Sequence, residues 1–266
     1  MNGDADLTGG LVHPTATVHP DARLDPSVSV GPATVIGPRV EIAAGVRIGA
    51  HVLIDRDTRI GEGCRVFNGA SVGTDPQDLK YAGEPTRLEI GERTTIREFC
   101  TVSRGTAATG VTRIGSDSLL MAYTHVGHDC VIGDRVVLAN LAQLGGHVEI
   151  GDFVIFGAIV GVHQFTRIGA HAFVGGMSRV TQDVPPYLLL VGNPCRARGI
   201  NVVGLQRRGF EKSSIDALRA AFRDLFRTRT LNLGQALDEL ESRRDLEPEV
   251  LSLIEFIRAS KRGILT

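Results

Sequence analysis

The chain has 266 residues, 42% of them hydrophobic and 22% charged, with a formal net charge of −1. That length supports one or two domains with a sizeable core, and the near-neutral balance argues against general nucleic-acid binding. No apolar run reaches the length of a membrane span, and MNGDADLTGG lacks the basic and apolar regions of a signal peptide, so the expectation is a cytoplasmic protein.

From Val12 to Val180 every residue whose number is a multiple of six is large and apolar, except Asp78, Glu84 and Ala108. Of these 29 positions, 25 are Val, Ile or Leu and one is Phe156. A period of six fits neither the 3.6 of a helix nor the 2.0 of a strand, and marks a supersecondary repeat. The position four after each aliphatic residue is also restricted, as at Ala16, Val28, Thr34, Val46 and Ala70, and the position just after it is often glycine, as at Gly31, Gly49, Gly127 and Gly133. One large and one small inward residue per hexad, with glycine at a bend, predicts a left-handed parallel β-helix. Three hexads make three faces, so a coil takes about 18 residues and coils stack at about 4.8 Å.

In chain order, eleven hexads run from Val12 to Val72. Residues 74–87, TDPQDLKYAGEPTR, are too polar for core and predict a loop thrown out of the helix. Three hexads resume at Ile90, a second excursion is expected at 107–112, and twelve hexads run from Ile114 to Val180. Pro185, Pro186 and Pro194 then end regular pairing. The β-helix is expected over 1–195 and a C-terminal α-helical domain over 196–266. Ile215, Leu218, Phe222, Leu225 and Phe226 have helical spacing, as do Leu233, Ala236, Leu237 and Leu240 and then Val250, Leu251, Ile254 and Ile257, with Pro248 in a first turn. Such a domain would cap the last coil, whose edge strands would otherwise invite aggregation. Cys64, Cys100 and Cys130 fall at the small inward position and read as buried hydrophobes.

Four of the eight histidines fall together when the coil is counted as 18. His128 aligns with Gly146 and Gln164, Asp129 with His147, His125 with Gln143, and His163 with Gly145. All would lie along one edge within three coils, about 10 Å of axis, and none is at an inward position. His13, His19, His51 and His171 read as solvated surface residues. A neutral imidazole beside a carboxylate suits general-base work, and His128 with Asp129 is the candidate pair. Gly146 would leave room for a substrate and a free N–H for a developing oxyanion. A zinc site of three histidines is disfavoured, because the close pair is His-x2-His and residue 89, two coils before His125 by the same count, is glutamate. No metal is expected.

QDLKYAGEPTR (77–87), HVGHDC (125–130), GGHVEI (145–150), VHQF (162–165), QDVPPY (182–187) and GINVVGLQRRGF (199–210) carry a more specific signal. The chain resembles the hexapeptide-repeat acyltransferases, and within them the acyl-carrier-protein:UDP-N-acetylglucosamine O-acyltransferase family of lipid A synthesis, over essentially its whole length. The resemblance implies transfer of a 3-hydroxyacyl chain to the glucosamine 3-position, with His128 as base, Asp129 orienting it and the Gly146 amide binding the oxyanion. It implies that His125, His147, His163 and Gln164 line the substrate site and that Asn201, Arg207 and Arg208 hold the nucleotide. It also implies that Asp78 and Lys80 reach the sugar from a neighbouring subunit of a homotrimer. Gly176, with Met177 beside it, corresponds to an acyl-chain ruler, and glycine there goes with longer chains, here 12 to 14 carbons. The donor is carried on the phosphopantetheine of acyl carrier protein, with no other cofactor. Arg167, Arg179, Arg196, Arg198, Arg207 and Arg208 are expected to form one basic rim for that acidic partner.

Two positions depart from the family pattern: Ser103 stands where a site histidine is often found, and Val203 where a glutamate near the nucleotide is often found. They bear on whether the acceptor carries a 3-hydroxyl or a 3-amino group. The alternatives are a related N-acyltransferase, which usually has an N-terminal uridine-binding domain that repeats starting at Val12 leave no room for; a coenzyme-A-dependent acetyltransferase; and a non-catalytic β-helix scaffold.

Overall fold

Short strands stacked in parallel form the three faces of a prism. The computed structural model describes residues 12–227 and 230–266, so the first eleven residues of the expected β-helix lie outside it. The first face has nine strands, from Thr17–Val18 to Arg179–Val180, the second eight, from Arg23–Leu24 to Arg167–Ile168, and the third ten, from Ser29–Val30 to Arg196–Ile200. The architecture is the left-handed parallel β-helix expected, with C-terminal helices. Regular coils repeat at 18, as in Val137↔Ile155↔Phe173 and His125↔Gln143↔Gly161↔Arg179.

The hexad side chains fill the prism. Each aliphatic multiple of six from Val30 to Val180 is buried, as are the small partners Val46, Val136, Val148 and Val154. Cys64, Cys100 and Cys130 are in the same set, and burial pushes their thiols up to about 11, about 11 and about 12. They remain protonated and inert.

The glycine after each aliphatic residue is not there for the bend. The residues with positive φ come two positions later and are rarely glycine: Asp129 (φ 59), Arg135 (φ 55), His147 (φ 61) and Phe165 (φ 62) among them. Glycine is needed because coils touch there. A Cβ on Gly127 would stand 2.9 Å from the Gly145 carbonyl carbon, and one on Gly133 would stand 2.9 Å from the Asp152 amide nitrogen.

Both excursions are longer than their coils require, and the second is displaced from its expected place. Ser71 pairs with Thr101, 30 residues on, and Thr101 with His125, 24 residues on. The loops occupy 75–86 and 104–110, because Val111 and Thr112 already pair with Arg87 and Leu88. The added residues also move Glu89 off the histidine edge. Thr101 and Ser71 underlie His125, whereas Glu89 lies on the second face beside Arg87 and Arg113.

The sheet continues past residue 195, where helix was expected. Leu188–Val191 adds to the third face and pairs antiparallel with Arg196–Ile200. Helices α1 (Val202–Arg207), α2 (Lys212–Phe226), α3 (Leu233–Glu241) and α4 (Pro248–Arg258) follow. The short α1 has no apolar periodicity to announce it. In α4, Leu253 is buried and Leu251 is exposed, since i, i+3, i+4 from Val250 selects 253 and 254. The chain end then runs beside the last coil of the second face: Asp183 N–H donates to Gly263 O and Leu265 N–H to Asp183 O. That covers an edge which would otherwise stay unpaired.

His171 is not a surface residue. Its ring stacks between Phe153 and Tyr187, at 4.8 and 5.7 Å, with Phe210 edge-on at 4.9 Å, and burial pushes its imidazole down to about 4. This aromatic column, on the edge between the second and third faces, receives the segment bearing α1.

Candidate active site

The histidine edge forms where strands of the first face turn toward the second. His125, Gln143, Gly161 and Arg179 stack along the face, and His128, Gly146 and Gln164 along the turn. With Gln77, Ser103, His163 and Thr181 they line an open cleft of about 460 Å³. Coil arithmetic brings these residues together as expected.

Asp129 is the most constrained group in the site. Its side chain is fully buried, yet both oxygens are saturated. Oδ1 accepts from the Thr106 amide at 3.0 Å and from the Thr109 hydroxyl; Oδ2 accepts from the Thr106 hydroxyl at 2.6 Å and from His128 Nδ1 at 2.8 Å. Burial by itself raises the carboxyl, but the Thr106, Thr109 and His128 hydrogen bonds outweigh it and hold the group at about 2. An ionised carboxylate only accepts, so Nδ1 of His128 carries its proton and Nε2 is bare. That bare nitrogen lies over Gly146, where a Cβ would be 2.6 Å from Nε2 and 2.5 Å from Cε1. Only glycine permits this apposition.

The Gly146 amide, like those of His128 and Gln164 at the same hexad position on this edge, is paired with no acceptor among the described residues. Elsewhere at that position, Ala50, Ser116 and Asp134 donate to Asn68, Asp134 and Asp152, each 18 residues on. Here the residue 18 on is Gln164.

The other histidines of this edge lie around the pair, His125 and His163 in the cleft lining. His125 Nδ1 lies 2.7 Å from the Thr101 hydroxyl, and burial and then the His128 charge lower its imidazole. His147 stands edge-on to His128 at 5.1 Å and stacks on Phe165 at 4.3 Å; burial lowers it, against an opposing pull from Asp129. His163 Nδ1 meets Arg262 at 2.8 Å. A guanidinium can only donate, so Nδ1 accepts and the 3.0 Å approach of Gln164 O to the same nitrogen is not a hydrogen bond.

His128, Asp129 and His147 place ligand atoms within 4.8 Å of one another, the spacing of a possible cation site. The donor set does not suit one. Asp129 already accepts four hydrogen bonds, about the full lone-pair capacity of a carboxylate.

Some expected residues lie elsewhere. Gln77 of the 75–86 loop borders the cleft, whereas Asp78 and Lys80 of the same loop are not among the residues lining it. Lys80 is exposed on that loop. Asn201 Nδ2 donates to His171 O at 2.9 Å, its Oδ1 caps α1 at the Gly204 amide, and Arg208 donates to Phe153 O at 2.7 Å. Both sit on the aromatic edge, away from His128, and Arg207 is exposed at the end of α1. Gly176 and Met177 lie in a bend where the third face turns to the first, not in a strand, and outside the cleft lining. Met177 is 74% exposed and ends a ridge of Phe99, Tyr123, Leu141 and Ile159. The six arginines do not make one rim. Arg167 is on the second face against Phe256, Arg179 on the first, Arg196 and Arg198 on the third, and Arg208 is held at Phe153. Ser103 is buried at the cleft and Val203 is exposed on α1.

Thr106, Thr109 and Arg262 escaped the sequence reading, and Arg179 was read as part of a basic rim rather than of the cleft. Arg179 follows from carrying the count of 18 one coil further. The threonines and Arg262 come from a loop and a chain end that no period places.

The chain is similar to proteins of named activity. Residues 183–265 match the family described as UDP N-acetylglucosamine O-acyltransferase, domain 2, and residues 112–146 match bacterial transferase hexapeptide repeats. An acyl-(acyl-carrier-protein):UDP-N-acetylglucosamine O-acyltransferase from Burkholderia orbicola is 51% identical over 210 residues, 77% of this chain and 80% of that protein. The crystal structure of UDP-N-acetylglucosamine O-acyltransferase from Moraxella catarrhalis matches with a TM-score of 0.92 at 44% identity, covering 96% of this chain and 99% of that one. The Arabidopsis UDP-N-acetylglucosamine acyltransferase matches at 0.86 and 37% identity, covering 96% and 100%.

Proposed function

The chain belongs to the UDP-N-acetylglucosamine O-acyltransferase family, and from that membership we propose how its residues move a 3-hydroxyacyl chain from acyl carrier protein to the glucosamine 3-position of UDP-N-acetylglucosamine. It is an acyltransferase of lipid A biosynthesis. The observation that carries the residue assignment is the His128 ring, fixed between the ionised carboxylate of Asp129 and the unclaimed amide of Gly146.

With the 3-hydroxyl in the cleft, Nε2 of His128 takes its proton as the oxygen attacks the thioester carbonyl. Asp129 fixes the tautomer and stabilises the imidazolium that forms. The carbonyl oxygen gains negative charge and accepts from the Gly146 amide. The tetrahedral intermediate then expels the phosphopantetheine thiolate, which takes the proton back from His128. Nothing in this sequence calls for a metal, and the one cofactor is the phosphopantetheine that arrives with the donor. His125, His147, His163 and Gln164 line the acceptor's path as polar groups that can hydrogen-bond it.

One chain does not enclose both substrates. A cleft of about 460 Å³ is at the lower end for small ligands, where sites run about 300–1,000 Å³. A nucleotide sugar with a long acyl chain needs a second wall. We therefore infer a homotrimer in which a neighbouring copy brings Asn201, Arg207 and Arg208 to the nucleotide, while the apolar ridge from Phe99 to Met177 is covered. The acyl chain would run toward Gly176 along that ridge. The reading places the protein in the cytoplasm; no helix among the described residues is long and apolar enough to cross a membrane.

The test is His128→Ala assayed with UDP-N-acetylglucosamine and 3-hydroxyacyl carrier protein. Removing a general base costs about 10²–10⁴ in rate, so turnover should nearly vanish while nucleotide-sugar binding survives. Turnover within about threefold of the parent would sink the assignment.

A further inference from the structure

We propose that Thr106 and Thr109, on the 104–110 excursion, are positioning residues that hold the Asp129 carboxylate for His128, making this loop part of the catalytic base. The proposal rests on the reading of His128 as the base.

Asp129 belongs to a column of corner residues with positive φ, followed by His147 and Phe165 one and two coils on. Residues in that column project outward: Phe165 is 53% exposed and His147 part-exposed, whereas Asp129 is 3% exposed. The difference is the excursion, which lies over Asp129. A carboxylate removed from water in this way needs charge-assisted donors in place of its hydration. Three of its four donors come from the loop: the Thr106 amide, the Thr106 hydroxyl and the Thr109 hydroxyl. The fourth is His128.

The loop is built to hold that position. Its length is beyond what the coil needs, since Thr101 and His125 are 24 apart where regular coils are 18. Gly110 N–H closes it onto Thr106 O at 2.7 Å, and Gly105 approaches Val111 so closely that a Cβ would be 2.3 Å from its nitrogen. At one end Arg104, 1% exposed, binds Asp55, Asp75, Tyr81 and the Gly73 carbonyl. Thr112, just beyond the other end, accepts from the Asp129 amide at 2.8 Å. Carboxylate and loop are thus joined through both side chain and backbone.

Without the hydroxyls, burial raises the carboxyl and nothing on the loop but one amide opposes it. The carboxylate would then be held less firmly against His128 Nδ1 and would stabilise the imidazolium less. Thr106→Val and Thr109→Val keep shape and remove the hydroxyl; Thr106→Ser and Thr109→Ser keep it. Each Val variant should lower kcat about tenfold, the worth of one hydrogen bond to a charged group, with KM for UDP-N-acetylglucosamine within about twofold. The Ser variants should restore the parent kcat, because they return the hydroxyl that holds the carboxylate. Thr109 is exposed, so Thr109→Val carries the test alone if Thr106→Val fails to fold. Val variants with the parent's kcat would overturn the proposal. So would Ser variants as slow as the Val ones, which would leave the threonines only a part in loop folding. His128→Ala separates the two readings: an active His128→Ala enzyme removes the base assignment itself, whereas a dead one beside indifferent Val variants removes only the role of the loop.

Discussion

Gly146→Ala perturbs the contact on which the base assignment depends. The new Cβ would stand 2.5 Å from Cε1, 2.6 Å from Nε2 and 3.1 Å from Nδ1 of His128. Carbon contacts settle at about 3.5–4.0 Å, so the ring must retreat by roughly 1 Å. That retreat stretches the 2.8 Å bond to Asp129 and carries Nε2 away from the Gly146 amide. Misplacing a reacting group by about 1 Å costs about 10²-fold, short of the full loss of the base. Because His128 borders the open cleft, the ring can yield outward, and the stability cost should stay near about 1 kcal/mol, the low end for overpacking. Gly133→Ala is the control. Its Cβ meets the next coil at 2.3 Å from Asp152 Oδ1, 2.9 Å from Asp152 N and 3.0 Å from Gly151 C, and the two backbone atoms cannot yield in the same way. It should cost about 1–3 kcal/mol and leave kcat unchanged. Acyl transfer from 3-hydroxyacyl carrier protein, with thermal melts of both variants, decides the matter. A Gly146→Ala enzyme that melts like the parent and turns over within about threefold of it would refute the placement of His128.

Three further outcomes are expected. Asp129 sits at about 2 against an ordinary 3.8, so its contribution is present above the unfolded value and lost as pH falls from about 4 to about 2. At 1.36 kcal/mol per unit this is roughly 2 kcal/mol, and denaturant titrations should show that part of the acid destabilisation missing from Asp129→Asn. Arg104→Ala should free the 75–86 loop from Asp75 and Tyr81. Limited proteolysis within 75–86 and a raised KM for the nucleotide sugar are expected, with a stability loss of about 2 kcal/mol, below the cost of breaking a fully buried pair because Asp55 and Asp75 are partly solvated. Gly176→Met should shift preference to shorter donors; each buried methylene is worth about 0.8 kcal/mol, so the parent should favour its preferred chain over one two carbons shorter by roughly tenfold. An unchanged chain-length profile would place the acyl groove elsewhere.

The fold was legible because its determinant is local and periodic. One aliphatic residue every six fixes the inward direction at Val126, Leu144 and Val162, and the same count sets His125, Gln143 and Gly161 above one another. Stacking at a constant 18 turns spacing along the chain into distance in space, and so His128 and Gly146 could be paired from sequence. The count fails wherever residues leave the coil. It put Glu89 under His125 when the excursions had moved it to the second face. It also read glycine after each aliphatic residue as a bend residue, although the clash that excludes a Cβ at Gly127 comes from the next coil, not from its own φ. Asn201 and Arg208 were legible as residue types, but only packing shows them bound to His171 and Phe153 on another edge. The sequence by itself determined the prism, its core and the alignment of the histidine edge, since these follow from a repeat that each hexad carries. Tertiary structure alone decided what buries and charges Asp129, because Thr106 and Thr109 reach it through a loop whose path no period dictates.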